Sequence, residues 1–183
     1  MIATFSSVVA GWQTFYLLAG TASATLAGLI FVAVSANLDL VSESGVSALF
    51  ILARRTLSSF ILVVIIALIF VVPNEEPVRL GGALLTLGLI DVLQTILGGR
   101  DVMRELRQVE GWRSFANRIV RPLLMPVVTG LAIIFIAVTL LNGSTAYLYW
   151  MFPVIVLMLS NAALDAWELM LGLAQHKARR AAG

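Results

Sequence analysis

The chain predicts an all-α membrane protein: a five-transmembrane-helix bundle whose third and fourth spans are joined by an amphipathic cytoplasmic connector helix. Three observations lead there. Of the 183 residues, 60% are hydrophobic and 12% charged, with a mean hydropathy of +0.99, whereas soluble domains run at about 45–50% apolar and about 25% charged. Five apolar stretches meet or approach the roughly 20 residues that a helix needs to cross about 30 Å of hydrocarbon. Basic residues fall on alternate connections between those stretches, which is how membrane orientation is encoded. The chain reads as one transmembrane domain over 1–183, with no polar remainder large enough for a separate core and no segment that reads as strand.

The first span covers about Trp12 to Ala36. It is not expected to be a signal peptide, because no charged region precedes it and the block is too long and too rich in Gly, Ser and Thr. Gly20, Ala24 and Gly28 recur four apart, with Ala19, Ser23 and Ala27 beside them. Small residues at that spacing let helix backbones approach closely, which matters in lipid, where burial alone drives little association. The helix is therefore expected to pack against protein, whether within this chain or in another copy. Thr21, Ser23 and Thr25 are expected to bond carbonyls of their own helix.

The second span covers about Thr56 to Val72 and extends toward Ser47 if the apolar run before Arg54 and Arg55 is helical. Pro73 and Pro77 frame the turn Asn74-Glu75-Glu76, where a helix cannot continue. The third span covers about Leu80 to Leu97 and contains an acid, Asp91. Eleven residues past Leu80, at about 1.5 Å each, put Asp91 about 16 Å deep. A carboxylate at that depth must pair, meet water or hold its proton. Gln94 and Thr95 follow at i+3 and i+4, so the three share one polar strip. Two readings stand: an ion or proton site lining a wet path, or a hydrogen-bonded acid joining helices.

Residues 99–121 are the one sizeable polar segment. Val102, Leu106, Val109, Trp112 and Phe115 recur at helical spacing among six arginines, Arg100, Arg104, Arg107, Arg113, Arg118 and Arg121. That pattern predicts an amphipathic helix in the cytoplasmic headgroup layer, weakened at Gly111. The arginines, with Trp112, also permit an anionic-lipid or partner-docking surface. Pro122 is expected in the first turn of the fourth span, about Pro122 to Leu141, where its missing N–H costs nothing. Asn142-Gly143-Ser144 predicts a tight turn into the fifth span, about Tyr147 to Leu173.

Asn161, Asp165 and Glu168 on the fifth span are spaced four and three apart, hence on one face. Counting 18 residues from Pro73 back to Arg55, and 18 from Trp150 to Glu168, sets these groups at similar heights, about 27 Å along their helices. An ion-pair cluster of Arg54 or Arg55 with Asp165 and Glu168 is therefore expected. Separate snorkelling to the interface is the alternative.

With five spans, eleven of the twelve Lys and Arg residues fall on one side and only Arg79 on the other. The positive-inside rule then puts the N-terminus outside and the C-terminus in the cytoplasm. Four spans would divide the six-arginine segment from the basic tail. Trp12 and Tyr16, and Tyr147, Tyr149 and Trp150, would form the outer aromatic belt.

Composition also bounds the chemistry. There is no Cys and a single His, His176 in the tail, which excludes disulfides, thiolate nucleophiles, His-clustered zinc and bis-His haem. No nucleophile elbow, zinc-protease pair, phosphate loop or two-carboxylate metal motif occurs. Asp165 and Glu168 have the spacing of half a di-iron ligand set, but no span contains the His such sites use. A net charge of +2 from 12 basic and 10 acidic residues does not suggest nucleic acid. No enzyme activity and no cofactor are expected.

The stretch Ala22–Asn37, A-S-A-T-L-A-G-L-I-F-V-A-V-S-A-N, resembles the first-span signature of a family of uncharacterised bacterial multi-span inner-membrane proteins. Tyr149-Trp150 opening the last span and Asp165-Ala166-Trp167 closing it extend the resemblance over most of the chain. The shared motifs are packing motifs. The resemblance implies a helical protein of the bacterial inner membrane and no activity. In the family pattern an Asn often stands at the position of Asp165, so the resemblance implies no general role for that acid.

These readings converge on a non-catalytic protein acting through its helix surfaces, as a homo-oligomer or as an accessory subunit of a membrane complex. The competing class is an oligomeric ion channel or proton-coupled transporter using Asp91 and Gln94. Expected partners are the lipid bilayer with its anionic headgroups, and self or another membrane protein.

Overall fold

The computed structural model describes residues 5–38, 48–72, 76–106 and 112–181. Five α-helices follow one another: α1 Phe5–Ser35, α2 Ala48–Val71, α3 Pro77–Leu106, α4 Trp112–Leu141 and α5 Met151–Ala181, the last preceded by a 3-10 turn at Leu148–Trp150. No strand occurs among the described residues. Each helix contains a stretch long and apolar enough to cross a bilayer: Ser7–Ser35, Leu52–Val71, Pro77–Leu97, Leu124–Leu141 and, running on from the 3-10 turn, Leu148–Gln175. The chain is an all-α, multi-pass membrane protein with five spanning helices, and the span ends fall within about five residues of those read from hydropathy.

The helix ends follow local rules. α2 begins at Ala48, so the apolar run before Arg54 is helical, as the longer second span requires. Pro77 opens α3, where a missing N–H is one of the unpaired donors in any case. Beside it, Glu76 and Arg79 pair at 3.1 Å on the exposed surface. α4 ends in the expected turn at Asn142-Gly143-Ser144. Gly143 N–H donates to Leu140 O at 2.9 Å and Ser144 N–H to Thr139 O at 3.0 Å. Gly143 has φ +78°, a left-handed conformation that glycine adopts without a Cβ clash.

Two expectations change. Segment 99–121 is not one separate helix among the described residues: its first part continues α3 to Leu106, and its last part begins α4 at Trp112. Extending a helix that already exists avoids the cost of nucleating a new one. Arg100 and Arg104 thus belong to α3, and Trp112, Arg113, Arg118 and Arg121 to α4, while Arg107 lies outside the described residues. Pro122 accordingly does not open its helix. It and Pro126 lie inside α4, and each withholds the N–H that would reach the carbonyl four residues earlier. A proline is tolerated inside a spanning helix when surrounding groups re-satisfy the freed backbone.

The helices fall into two compact units, Met1–Val9 with Pro73–Val154, and Ala10–Val72 with Ile155–Gly183. In the first, α3 and α4 run antiparallel along a seam of glycines. A Cβ on Gly81 would lie 3.1 Å from Ala137 O; one on Gly88 would lie 2.7 Å from Ile134 Cγ1 and 3.3 Å from Ile134 N. Ile133 also meets Gly88, at 3.3 Å from such a Cβ, and Leu80, Leu84, Ile136 and Leu140 on the same two helices are nearly inaccessible. Beyond it, Tyr147 sets its ring edge-on to Phe135 at 5.3 Å.

In the second unit α1 and α2 run antiparallel. Tyr16 stacks flat on Phe70 with ring centroids 3.9 Å apart, and a Cβ on Gly20 would lie 2.7 Å from that of Ala67. α5 joins them in a cluster of Ile30, Ala53, Phe60, Ala162, Leu169 and Leu173. With lipid tails as apolar as leucine, such contacts stabilise through close packing and dispersion more than through release of water. Tyr16 is 1% exposed, so it is a core residue and not part of an aromatic belt. Tyr147, Tyr149 and Trp150 are exposed, as belt residues are.

Candidate functional site

Polar side chains inside apolar spans are where function is sought in a membrane protein, because each must have a partner, water or a use. In the α1–α2–α5 unit the buried ones, Ser23, Thr56 and Asp165, have partners. The small-residue face of α1 settles on the Ala19–Ser23 side: Tyr16, Ala19, Ser23 and Ile30 are buried and Ala27 packs at the edge. Of the other stripe, Gly20 meets α2, whereas Ala24 and Gly28 are exposed. Thr21 and Thr25 donate to Leu17 O and Thr21 O in their own helix, as expected. Ser23 does not. Its hydroxyl donates across to Phe60 O of α2 at 3.0 Å, in a fully buried position. Close approach of the two backbones at Gly20 brings that carbonyl within reach of so short a side chain.

Of the expected ion-pair cluster, Arg55 and Asp165 come together. Arg55 Nε of α2 lies 3.7 Å from Asp165 Oδ2 of α5, both groups mostly buried. This separation is a charge–charge contact longer than a hydrogen bond. Arg54 and Glu168 lie on the exposed surface and Asn161 is half-buried. Three residues on one face of α5 do not all turn inward: Asp165 lies between the core residues Ala162 and Leu169, and Glu168 falls off that line. A pair of opposite charges joining two helices at one end of a span holds them in register.

The α3–α4 unit treats its acid differently. Asp91 is half-buried on α3 and forms no hydrogen bond or ion pair with any described residue. What faces it on α4 is Gly130. A Cβ built there would lie 3.1 Å from Asp91 Oδ2 and 2.7 Å from Val92 Cγ2. The carboxylate thus occupies a notch that glycine leaves, without a donor in it. The neighbouring Thr129 hydroxyl is turned to its own helix, donating to Met125 O and Pro126 O at 3.0 and 3.1 Å. Along the strip, Thr95 is half-buried and Gln94 exposed. Asp91 lies six residues from the Leu97 end of its span, about 9 Å of helix, so it sits in one half of the span and not at its centre.

Among the described residues no group of three or more His, Asp or Glu side chains could hold a metal ion. Sequence reasoning missed the glycine seam of α3 and α4. Its signal was present in the seven-residue interval from Gly81 to Gly88, interleaved with Leu80 and Leu84 on the same face. Comparison with protein-family models, with curated proteins and with solved structures found no match to this chain. The likeness of Ala22–Asn37 to a family signature therefore assigns no family.

Proposed function

We propose that this chain is a non-catalytic integral membrane protein acting through its helix surfaces, as a homo-oligomer or as an accessory subunit of a larger complex in the bacterial inner membrane. One observation carries this reading. Asp91 and Gln94 stand together on α3, and Gly130 of α4 faces Asp91, which has no hydrogen-bond or ion-pair partner among the described residues. Intramembrane polar groups pair with one another or with backbone, or line water-filled cavities, so a helix from outside the chain is the natural source of the missing partner. Eleven of twelve basic residues on one set of connections favour an outer N-terminus and a cytoplasmic C-terminus. The arginines of 99–121 would then lie against anionic headgroups. Native mass spectrometry from membrane nanodiscs tests the reading. A multiple of 19.7 kDa, or a fixed stoichiometry with another membrane protein, is expected, and a lone monomer would overturn it.

The same strip favours a second reading, an ion or proton path formed between copies. Gln94 is exposed and Asp91 only half-buried, so a path lined by both would open on the outer face of α3. Flux into proteoliposomes, abolished by Asp91→Asn, would establish that reading. Equal flux in both proteins would remove it.

A further inference from the structure

We propose that α3 and α4 part beyond Gly130 into a water-filled crevice that ends at Asp91, making this carboxyl a proton-binding site in exchange with the side of the membrane that bears the arginines. Both helices belong to one chain, so the crevice stands whether the protein is a monomer or an oligomer. Toward the other side the seam is shut: Gly81, Leu84 and Gly88 on α3, and Gly130, Ile133 and Ala137 on α4, are buried. Gly88 meets Ile134 and Asp91 meets Gly130, so the same antiparallel register sets Thr95 level with Pro126, one turn further on. By helical spacing Thr95 continues the line of Gly81 and Gly88, and Pro126 that of Gly130 and Ala137. Yet both are only half-buried. The helices separate where the facing row of α4 changes from glycine to proline.

The opening is lined by acceptors. Pro126 has no N–H, so Pro122 O loses the donor that a helix supplies. The Thr129 hydroxyl is spent on Met125 O and Pro126 O. The Asp91 and Thr95 side chains make no hydrogen bond with any described residue. Backbone groups freed by a proline inside a span are re-satisfied by side chains or ordered water, and polar side chains at membrane depth pair or line wet cavities. On these facing rows only the Thr95 hydroxyl can donate, whereas each water brings two donors. Water at the carboxylate lets Asp91 take a proton from hydronium and return it to water, with no other reactant. The facing rows hold nothing else that titrates: Pro126, Gly130 and Ile134 on α4, and Gly88, Gln94 and Thr95 on α3. Arg100 and Arg121 each stand nine residues away along their helices, about 13.5 Å. A carboxyl group has more than one acceptor site, so water from the seam leaves room for a partner from outside.

The chain has no cysteine, so single thiols report accessibility. Full-length protein carrying Thr95→Cys, in membrane vesicles exposing the arginine-bearing side, is treated with a charged, membrane-impermeant methanethiosulfonate. Leu93→Cys, at nearly the same depth and 56% exposed on the outer surface of α3, is the comparison. The thiolate is the reacting form and needs water to ionise, so Thr95→Cys should label about tenfold faster. Equal rates, or faster labelling of Leu93→Cys, would overturn the crevice. The second result would put the water on the outer face, where a path between copies needs it. Wild-type protein supplies the other measurement. Dicyclohexylcarbodiimide crosses lipid and adds to carboxyl groups that hold a proton. A mass gain on the peptide containing Asp91 is expected, falling as the pH on the arginine-bearing side is raised and indifferent to the pH on the other. An unmodified Asp91, or modification that ignores the pH of that side, removes the proton site. Neither failure touches the oligomeric reading, which native mass spectrometry decides by itself.

Discussion

The two units of this protein handle buried polarity in opposite ways. Where α1, α2 and α5 meet, the buried polar groups reach across to a neighbouring helix or back to their own: Arg55 to Asp165, Ser23 to Phe60 O, Thr56 to Leu52 O. Where α3 and α4 meet, the seam is glycine and aliphatic side chains, and the acid at its edge faces a glycine. In the α1–α2–α5 unit these groups are accounted for by its own helices. In the α3–α4 unit Thr129 is too, by its own helix, but Asp91 has no partner among the described residues. In a bilayer, where no water is at hand to make up the difference, an acid with no partner among the described residues is the position to test first.

The contrast breaks most sharply at Asp165. Asp165→Ala leaves the Arg55 guanidinium mostly buried with its counter-charge removed, and a loss of about 3 kcal/mol in unfolding by detergent titration is expected, at the lower end of the usual range because both groups keep some exposure. Replacing both partners, Arg55→Met with Asp165→Leu, should recover most of that loss, since an apolar pair needs no compensation. If the single change costs nothing, the two units do not differ as described.

Packing gives the next effect. Gly88→Leu pushes four carbon atoms into Ile134, including its backbone nitrogen, and about 2 kcal/mol of destabilisation is expected from overpacking. Gly28→Leu on α1, where nothing lies within 4 Å of a Cβ, should leave the unfolding midpoint unchanged or raise it through better helix propensity. Equal effects at the two glycines would mean that α3 and α4 are not held by that seam. Smaller again is Ser23→Ala, which removes one interhelical hydrogen bond and should cost about 0.6 kcal/mol in the same titration.

How much of this was legible in the sequence follows from which physical quantity decides each feature. Span positions depend on hydropathy and length, both of which are local, and the fifth span read as Tyr147 to Leu173 is Leu148–Gln175 in the structure. The Arg55–Asp165 pair was legible because counting along two helices at a fixed rise gives relative height without knowledge of packing. Which side of α1 turns inward was not. The Gly20-Ala24-Gly28 stripe and the Ala19-Ser23-Ala27 stripe lie about 100° apart and are equally small, so only the bulk of Tyr16 and Ile30 in line with the second decides between them. Ser23 was misread for the same reason: a serine in a helix bonds its own backbone unless another carbonyl comes within 3 Å, and that approach is set by Gly20 meeting Ala67.

The smallest expected effect is the most informative. Asp91→Asn keeps the shape of the side chain over Gly130 and exchanges a carboxylate for a neutral amide. No described residue donates to Asp91 or pairs with its charge, so the change should alter the stability of the isolated chain by less than about 0.5 kcal/mol, the ordinary range for a position outside any network. Asp165→Asn, by contrast, removes the charge that Arg55 faces and should cost more. A large loss on Asp91→Asn in the monomer would show that the acid stabilises its own unit. A loss seen only in the assembled protein would place its partner in another chain. Two isosteric changes of one atom each thus separate an acid that holds the fold together from one that the fold holds out.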